Sequence, residues 1–298
     1  MAEQEALAAG RTRVRSETRD LSWASGTEVC GLDLSRPQDL SDADVDAIMK
    51  LLAERGILLF RGRKISHAQH LDFTRRFGPL AKTGLLTRYA PPGFPDLFTV
   101  TNMKVDGVRS ETWNAARQWH SDQSFLPVPA RACLLRCEKV PTLGGDTMFA
   151  NMYLAYDGLS AGLKKTLEGM SAFHCVFNTR ATVLDGRKEF TPEEKAMAGG
   201  ATHPVIRTHP LTGRKYLFVN EQDVDHFDGW TIKESAPLLD YLYAHLSQPA
   251  YTYRHKWQPD DVIMWDNQTM QHNALADYDL DNLDAPENHR LMFRSTLA

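Results

Sequence analysis

Long apolar runs, basic blocks and closely paired cysteines are all missing from this chain of 298 residues. No apolar run approaches the ~20 residues that a membrane-crossing helix needs. The first twenty residues also lack the apolar core of a secretory signal, which predicts a cytoplasmic protein with no membrane partner. Lys and Arg total 34 against 38 Asp and Glu, a formal net charge of −4. Without a basic cluster, nucleic acid is not an expected partner, because binding phosphates needs positive charge.

Cysteine is scarce as well, since only Cys30, Cys133, Cys137 and Cys175 occur and none forms a Cys-x-x-Cys motif. Four cysteines in a chain this long do not make a disulfide framework. They are predicted to be small buried side chains. Hydrophobic residues make up 42% and charged residues 24%, the composition of an ordinary globular protein. We predict a single domain over 1–298, with 1–20 as a disordered arm.

The hydrophobic pattern predicts a mainly β fold with flanking helices. Ser41 precedes a segment with apolar residues at helical spacing, and Gly56 can end that helix. A second helix is predicted to begin at Ser66. From Trp119 onward, short apolar segments alternate with turn signals, which indicates a double-stranded β-helix (jelly-roll) core with helices packed outside. The strand candidates are 132–140, 146–150, 203–208, 215–220, 251–257, 261–265 and 290–297, and helices are expected near 151–158, 160–170 and 233–247.

One segment does not fit the pattern of short connections. Residues 178–200 are polar and rich in charge, and they are too many for a typical loop. The segment is either disordered or a lid over a site.

The sequence Trp119-His120-Ser121-Asp122 contains a possible pair of metal ligands. On an extended strand, His120 and Asp122 would point to the same side. The best third ligand is His272, which follows an apolar strand. Two histidines and one carboxylate form the facial triad of non-haem Fe(II) oxygenases. Taken alone the tripeptide is a weak signal, since most histidines are surface or core residues.

Two further features suggest an anion site. Gly144-Gly145-Asp146-Thr147 places a hydroxyl at the start of a strand, after a turn that permits close approach. Arg290 and Arg294 have the spacing that puts both side chains on one face of an apolar strand. A buried arginine needs a partner. That partner could be a bound dicarboxylate, an anionic substrate, or an acidic residue elsewhere in the chain.

Together these residues resemble the taurine dioxygenase / 2,4-dichlorophenoxyacetate dioxygenase (TauD/TfdA) family of Fe(II)- and 2-oxoglutarate-dependent oxygenases. The resemblance extends from about Gly31 to Ser295. It is carried by segments that occur in the family's order: GILLFRG (56–62), FTRRFGPL (73–80), QWHSDQSFLPVPA (118–130), VPTLGGDTMFANMYLAYDGL (140–159), RTHPLTGRKYLFVNE (207–221), WQPDDVIMWDNQTMQHNALADY (257–278) and HRLMFRSTL (289–297).

The resemblance implies roles for particular residues. His120, Asp122 and His272 would hold Fe(II), and Thr147 with Arg290 would hold the distal carboxylate of 2-oxoglutarate. O2 would be the other cosubstrate. Arg294 would bind an anionic group of the substrate. The remaining candidate substrate contacts are Trp119, His174, Lys82 and Arg180.

The implied activity is hydroxylation of a small anionic molecule, with conversion of 2-oxoglutarate and O2 to succinate and CO2. A sulfonate, a sulfate ester, an aryloxyalkanoate or an amino-acid-like compound would fit. Ala81 and Ala116 stand where taurine enzymes carry polar side chains, so taurine itself is not expected. Family members often form dimers or tetramers, which suggests a homo-oligomer. Two alternatives stay open: a non-catalytic jelly-roll metal sensor, and a zinc hydrolase with the same three ligands.

Overall fold

A computed structural model describes residues 17–62, 64–81, 84–105, 107–109, 116–176 and 199–298. Its strands are β1 (Thr18–Asp20), β2 (Thr27–Val29), β3 (Ile57–Phe60), β4 (Phe98–Thr101), β5 (Lys104–Val105), β6 (Val108–Arg109), β7 (Ala132–Lys139), β8 (Thr147–Asn151), β9 (Ser171–Cys175), β10 (Gly200–Pro204), β11 (Ile206–Thr208), β12 (Lys215–Leu217), β13 (Val224–Phe227), β14 (Thr252–His255), β15 (Val262–Asp266), β16 (Met270–Ala274) and β17 (Leu291–Leu297). Its α-helices are α1 (Asp42–Arg55), α2 (His67–Arg75), α3 (Met152–Asp157), α4 (Ala161–Leu167) and α5 (Ile232–Leu246). Short 3₁₀ helices span Pro37–Asp39, Gly84–Tyr89, Pro249–Tyr251 and Pro286–Asn288.

The helix starts follow from capping residues that the sequence displays. Ser41 accepts a hydrogen bond from the backbone N–H of Asp44, and the Asp44 carboxylate accepts from the N–H of Ser41. Ser66 and Gln69 form the same reciprocal capping box at α2. Gly56 ends α1 with φ 75°, and a Cβ there would lie only 2.4 Å from Met270 Sδ. Both predicted helices are therefore confirmed.

Two sheets face each other around the interior of the barrel. The large sheet has the strand order β1-β2-β3-β15-β7-β17-β4, and the smaller sheet has the order β14-β8-β16. A hydrophobic cluster between them includes Leu59, Phe149, Trp257, Trp265 and Met292. The predicted β-rich core with flanking helices is confirmed.

The central strands of the large sheet are buried on both faces. In β15, Ile263 and Trp265 belong to the cluster inside the barrel. Val262 and Met264 alternate with them and pack with Ile48 of α1 in a second cluster. This is the period of two expected for a strand covered on each side. A third cluster packs α3 and α5 against β12 and β13.

Some predicted boundaries change. Within the arm predicted for residues 1–20, Thr18–Asp20 is instead a strand that pairs antiparallel with β2; residues 1–16 lie outside the described part. The candidate strand 203–208 is divided into β10 and β11, which belong to different sheets. Of the predicted lid, only Gly199 and Gly200 are described, and Gly200 begins β10. No helix in the described ranges is both long enough and apolar enough to span a bilayer.

His70 on α2 is buried away from the barrel interior, where its Nε2 lies 2.9 Å from Ser295 Oγ. Burial, with the nearby charges of Arg136 and His67, lowers the pKa of His70 to about 3. Burial likewise lowers the pKa of His174 on β9 to about 3. Both side chains therefore fold in the neutral form.

Acid should destabilise the fold through these two histidines. Below the ordinary histidine pKa of about 6.5, the unfolded chain binds protons that the folded chain does not, so stability falls with falling pH. At pH 5 each histidine should cost about 2 kcal/mol relative to pH 7. Urea unfolding at the two pH values measures this loss. In His70→Gln the loss should be smaller by about 2 kcal/mol, and an unchanged loss would contradict the assignment.

Candidate metal centre

Three predicted ligands meet at one point inside the barrel. The ligand atoms of His120, Asp122 and His272 all lie within 4.8 Å of one another, and all three residues are buried. His120 forms an isolated β-bridge with His272 of β16, with N–H to O distances of 3.1 and 2.9 Å. This bridge holds the two histidines side by side, with ring centroids 4.0 Å apart.

Asp122 reaches the same point by a different route from the predicted strand. It begins a turn in which Gln123 has φ 58°, so only His120 has strand pairing. The side chain of Asn267 fixes this turn. Its Oδ1 accepts from the Asp122 N–H at 2.8 Å, and its Nδ2 donates to the Asp122 carbonyl at 2.7 Å.

A hydrogen bond prepares the His120 imidazole for metal binding through Nε2. His120 Nδ1 lies 2.8 Å from the carbonyl oxygen of Gln118. Because a carbonyl can only accept, Nδ1 carries the hydrogen and Nε2 keeps its lone pair. His272 Nε2 lies 3.8 Å from Asp122 Oδ2. Burial and the charge of His120 hold the pKa of His272 well below its usual value, which favours the neutral ligand form.

The Asp122 carboxylate is ionised and engaged on both oxygens. Arg294 donates from Nη1 to Oδ1, and the Cys133 thiol donates to Oδ2 at 3.2 Å. Burial raises the pKa of Asp122, but the opposing effects, of which the charge of Arg294 is the largest, lower it to about 2. Burial, with the charge of Asp122, raises the pKa of Cys133, so the thiol keeps its proton.

The Gly-Gly turn brings the chain to the start of β8 in a conformation that side chains would prevent. Gly144 has φ 79°, and a Cβ there would lie 2.1 Å from the carbonyl oxygen of Asp277. The Gly145 N–H donates to Asp277 Oδ1 at 2.8 Å. Arg254 binds both Asp277 and Asp146, which ties the turn to β14. Thr147 follows as the first residue of β8 and is buried.

Arg290 lies beside this turn as a buried cation. Its Nε donates to the Gly145 carbonyl at 3.3 Å, and the residue is 7% exposed. Burial lowers its pKa, against weaker opposing effects from Tyr278, Cys137 and Asp146. Within the described ranges no carboxylate lies at ion-pair distance from Arg290, and Asp146 is engaged by Arg254. Arg290 directly precedes β17, and Arg294 lies four residues further on within that strand.

The other predicted contacts have different surroundings. Trp119 packs in the core cluster with Phe218. His174 is fully buried, with Nδ1 3.1 Å from Ser124 Oγ, and its Nε2 has no hydrogen-bond partner in the described part of the chain. Their roles as substrate contacts stay predictions. Lys82 and Arg180 lie outside the described residues.

Sequence reasoning missed two polar groups near the predicted ligands. Gln118 is 5% exposed, and within the described ranges neither the nitrogen nor the oxygen of its side-chain amide has a hydrogen-bond partner. Its position two residues before His120 was the available signal. Trp257 donates from Nε1 to Thr147 Oγ1 at 2.9 Å. Nothing in the sequence indicates that contact, because 110 positions separate the two residues.

Comparisons with known proteins identify the family of the chain. The model of the family described as "Taurine catabolism dioxygenase TauD, TfdA family" matches residues 17–296. The chain is 34% identical over 267 residues to the alpha-ketoglutarate-dependent 2,4-dichlorophenoxyacetate dioxygenase of Cupriavidus pinatubonensis, covering 87% of this chain and 90% of that protein. It is 31% identical over 284 residues to pentalenolactone F synthase of Streptomyces avermitilis, covering 89% and 90%.

A solved structure has the same fold. The crystal structure of AAD-2 in complex with Mn(II) and N-oxalylglycine superposes with a TM-score of 0.80 at 29% identity, covering 95% of this chain and 98% of that chain. The likeness extends over nearly the whole length of both proteins and includes the jelly-roll core. The chain therefore belongs to the TauD/TfdA family and is an Fe(II)- and 2-oxoglutarate-dependent dioxygenase.

Proposed function

We propose that His120, Asp122 and His272 hold the Fe(II) of this enzyme. The observation that carries the proposal is the convergence of their ligand atoms within 4.8 Å. Two imidazoles and one carboxylate are the donor set that non-haem Fe(II) oxygenases use. The iron, when bound, supplies the oxygen chemistry in which 2-oxoglutarate and O2 become succinate and CO2. The protein positions the reactants and excludes water from a buried site.

Thr147 and Arg290 are proposed to bind the distal carboxylate of 2-oxoglutarate. Arg290 is a buried cation, and none of the described residues places a carboxylate at ion-pair distance from it. Such a charge is costly unless it is paired. A ligand carboxylate would supply that partner. N-oxalylglycine, the ligand named in the solved neighbour, carries two carboxylates as 2-oxoglutarate does.

The substrate is proposed to be a small molecule with an anionic group that binds to Arg294. This arginine donates from Nη1 to Asp122, while its buried Nε has no hydrogen-bond partner among the residues that the structure describes. Its guanidinium carbon lies 4.9 Å from the centre of the Phe98 ring. The N–H groups on the free edge of the guanidinium can donate hydrogen bonds to a carboxylate, sulfonate or sulfate. An aryloxyalkanoate is one candidate, since a relative is named for 2,4-dichlorophenoxyacetate.

Succinate formation tests the proposed activity. Protein loaded anaerobically with Fe(II) and 2-oxoglutarate should form succinate above its substrate-free rate when O2 is admitted together with one member of a panel of sulfonates, sulfate esters, aryloxyacids and amino acids. Absence both of succinate and of an iron-dependent 2-oxoglutarate absorption band would contradict the proposal. A sensor that binds 2-oxoglutarate would show the band without turnover, and a zinc hydrolase would show neither.

The proposal also covers the domain organisation, the oligomeric state and the cellular location of the protein. We propose that residues 1–298 act as one oxygenase domain, that the chain forms a dimer or tetramer, and that it works in the cytoplasm. The support is the family's general behaviour and the match to the family model over residues 17–296. Light scattering coupled to size-exclusion chromatography would measure the oligomeric state.

A further inference from the structure

The hydrogen bond between Trp257 and Thr147 has a defined direction. An indole N–H can only donate, so Thr147 Oγ1 accepts at 2.9 Å. The hydrogen of the Thr147 hydroxyl must then point elsewhere. Thr147 is 3% exposed, and within the described ranges no protein acceptor is found for that hydrogen. The hydroxyl is therefore left as a buried donor in need of an acceptor.

The groups around the Thr147 hydroxyl indicate which kind of acceptor would bind there. Thr147 is two residues beyond Gly145, whose carbonyl receives Arg290 Nε at 3.3 Å. The buried hydroxyl donor therefore lies two residues along the chain from the carbonyl that a buried guanidinium contacts. An anion placed there would accept from both groups, and hydrogen bonds to ionised acceptors are the stronger ones.

Trp257 is itself held in place by its surroundings. It is 6% exposed and packs in the cluster between the two sheets. The ring of His255 meets it edge to face, with centroids 4.7 Å apart and an interplanar angle of 85°. His255 donates from Nε2 to Asp261 at 3.1 Å, and Asp261 also receives Arg61. The indole N–H therefore has little freedom to turn away from Thr147.

We propose that Trp257 is a positioning residue for the cosubstrate: by occupying an acceptor site on Thr147 Oγ1, it directs the Thr147 hydroxyl hydrogen toward the distal carboxylate of 2-oxoglutarate beside Arg290. This inference rests on the proposed function of Thr147 and Arg290. It assigns to Trp257 a role exerted through Thr147, without contact between the indole and the reacting atoms.

Calorimetric titration of the Mn(II)-loaded protein tests the inference without turnover. Trp257→Phe keeps an aromatic ring against His255 but removes the N–H. It should weaken 2-oxoglutarate binding by about threefold to tenfold, the value of one net hydrogen bond. Binding of 2-oxopentanoate, which has the same chain without the distal carboxylate, should change by less than about twofold. In a Thr147→Val background, Trp257→Phe should have no further effect, because the two residues act as one unit.

Other outcomes would overturn the inference. Equal weakening for both ligands would mean that Trp257 only supports the fold, and unchanged 2-oxoglutarate binding would mean that its N–H does not position Thr147. If Trp257→Phe does not fold, benzothienylalanine at position 257 keeps the indole shape and replaces the N–H by sulfur. Failure of the unaltered protein to bind 2-oxoglutarate would instead contradict the proposed function itself.

Discussion

Replacing His272 with alanine should abolish both metal retention and turnover. His272 is one of three proposed protein ligands, and its loss would leave only His120 and Asp122 to bind the ion. Outer-sphere substitutions alone typically cost about 10- to 100-fold in metal affinity, so loss of a direct ligand should exceed about 100-fold. Mn(II) binding followed by electron paramagnetic resonance measures the affinity, and succinate formation measures the turnover.

A buried histidine away from the centre provides the matched control. His245 on α5 lies 2.8 Å from the carbonyl oxygen of Ala155 and is 6% exposed. His245→Ala should lower thermal stability while leaving Mn(II) affinity within about twofold, because it removes a hydrogen bond remote from the ligands. If His272→Ala binds Mn(II) as well as His245→Ala does, the metal is held by other residues.

Arg290→Met should remove most of the affinity for 2-oxoglutarate. Losing one member of a buried charge pair costs about 2–5 kcal/mol, so the dissociation constant should rise by about 30-fold or more. Binding of 2-oxopentanoate should be almost unchanged, since that ligand has no distal carboxylate. Arg290→Lys should lie between the two, because lysine keeps the charge but loses the bidentate geometry. Titration of the Mn(II) protein with each ligand gives these values.

The same substitution has a second expected consequence in the absence of ligand. Arg290 is a buried cation, and no carboxylate in the part of the chain that the structure describes lies at ion-pair distance from it. Replacing it by an apolar side chain of similar length should leave the ligand-free protein at least as resistant to urea. A large loss of stability would indicate that Arg290 is a structural residue, and the cosubstrate role would move elsewhere.

The sequence predicted the elements whose causes are local. The capping serines and the glycine at position 56 mark the helix ends directly, and short apolar segments mark β7, β15 and β17. The three proposed metal ligands could also be chosen from the sequence, because a His-x-Asp tripeptide and one distant histidine leave few combinations to consider. What brings them together was not visible. The His120–His272 bridge is a long-range pairing, and Asp122 turns out of the strand that the tripeptide suggested.

The parts that were not predicted depend on contacts between distant residues. Arg294 was expected to face a substrate, but its contact with Asp122 follows from the register of β17 beside β7. Cys133 was predicted only to be buried, and its thiol contacts the same carboxylate. The Trp257–Thr147 hydrogen bond follows from the antiparallel register of β14 and β8. Residue composition cannot supply such registers, since they are fixed when the sheets assemble.

The alternation along β15 separates two properties that selection acts on. Met264 packs toward the helices, whereas the next residue, Trp265, packs inside the barrel with its ring 4.8 Å from that of His272. A substitution at Met264 alters packing against the helices, and a substitution at Trp265 alters the surroundings of His272. Thermostability and substrate range can therefore evolve at adjacent positions of one strand with little interference. Laboratory evolution for a new substrate would then do best to vary the inward positions of β15 and to keep the outward residues, which stabilise the fold.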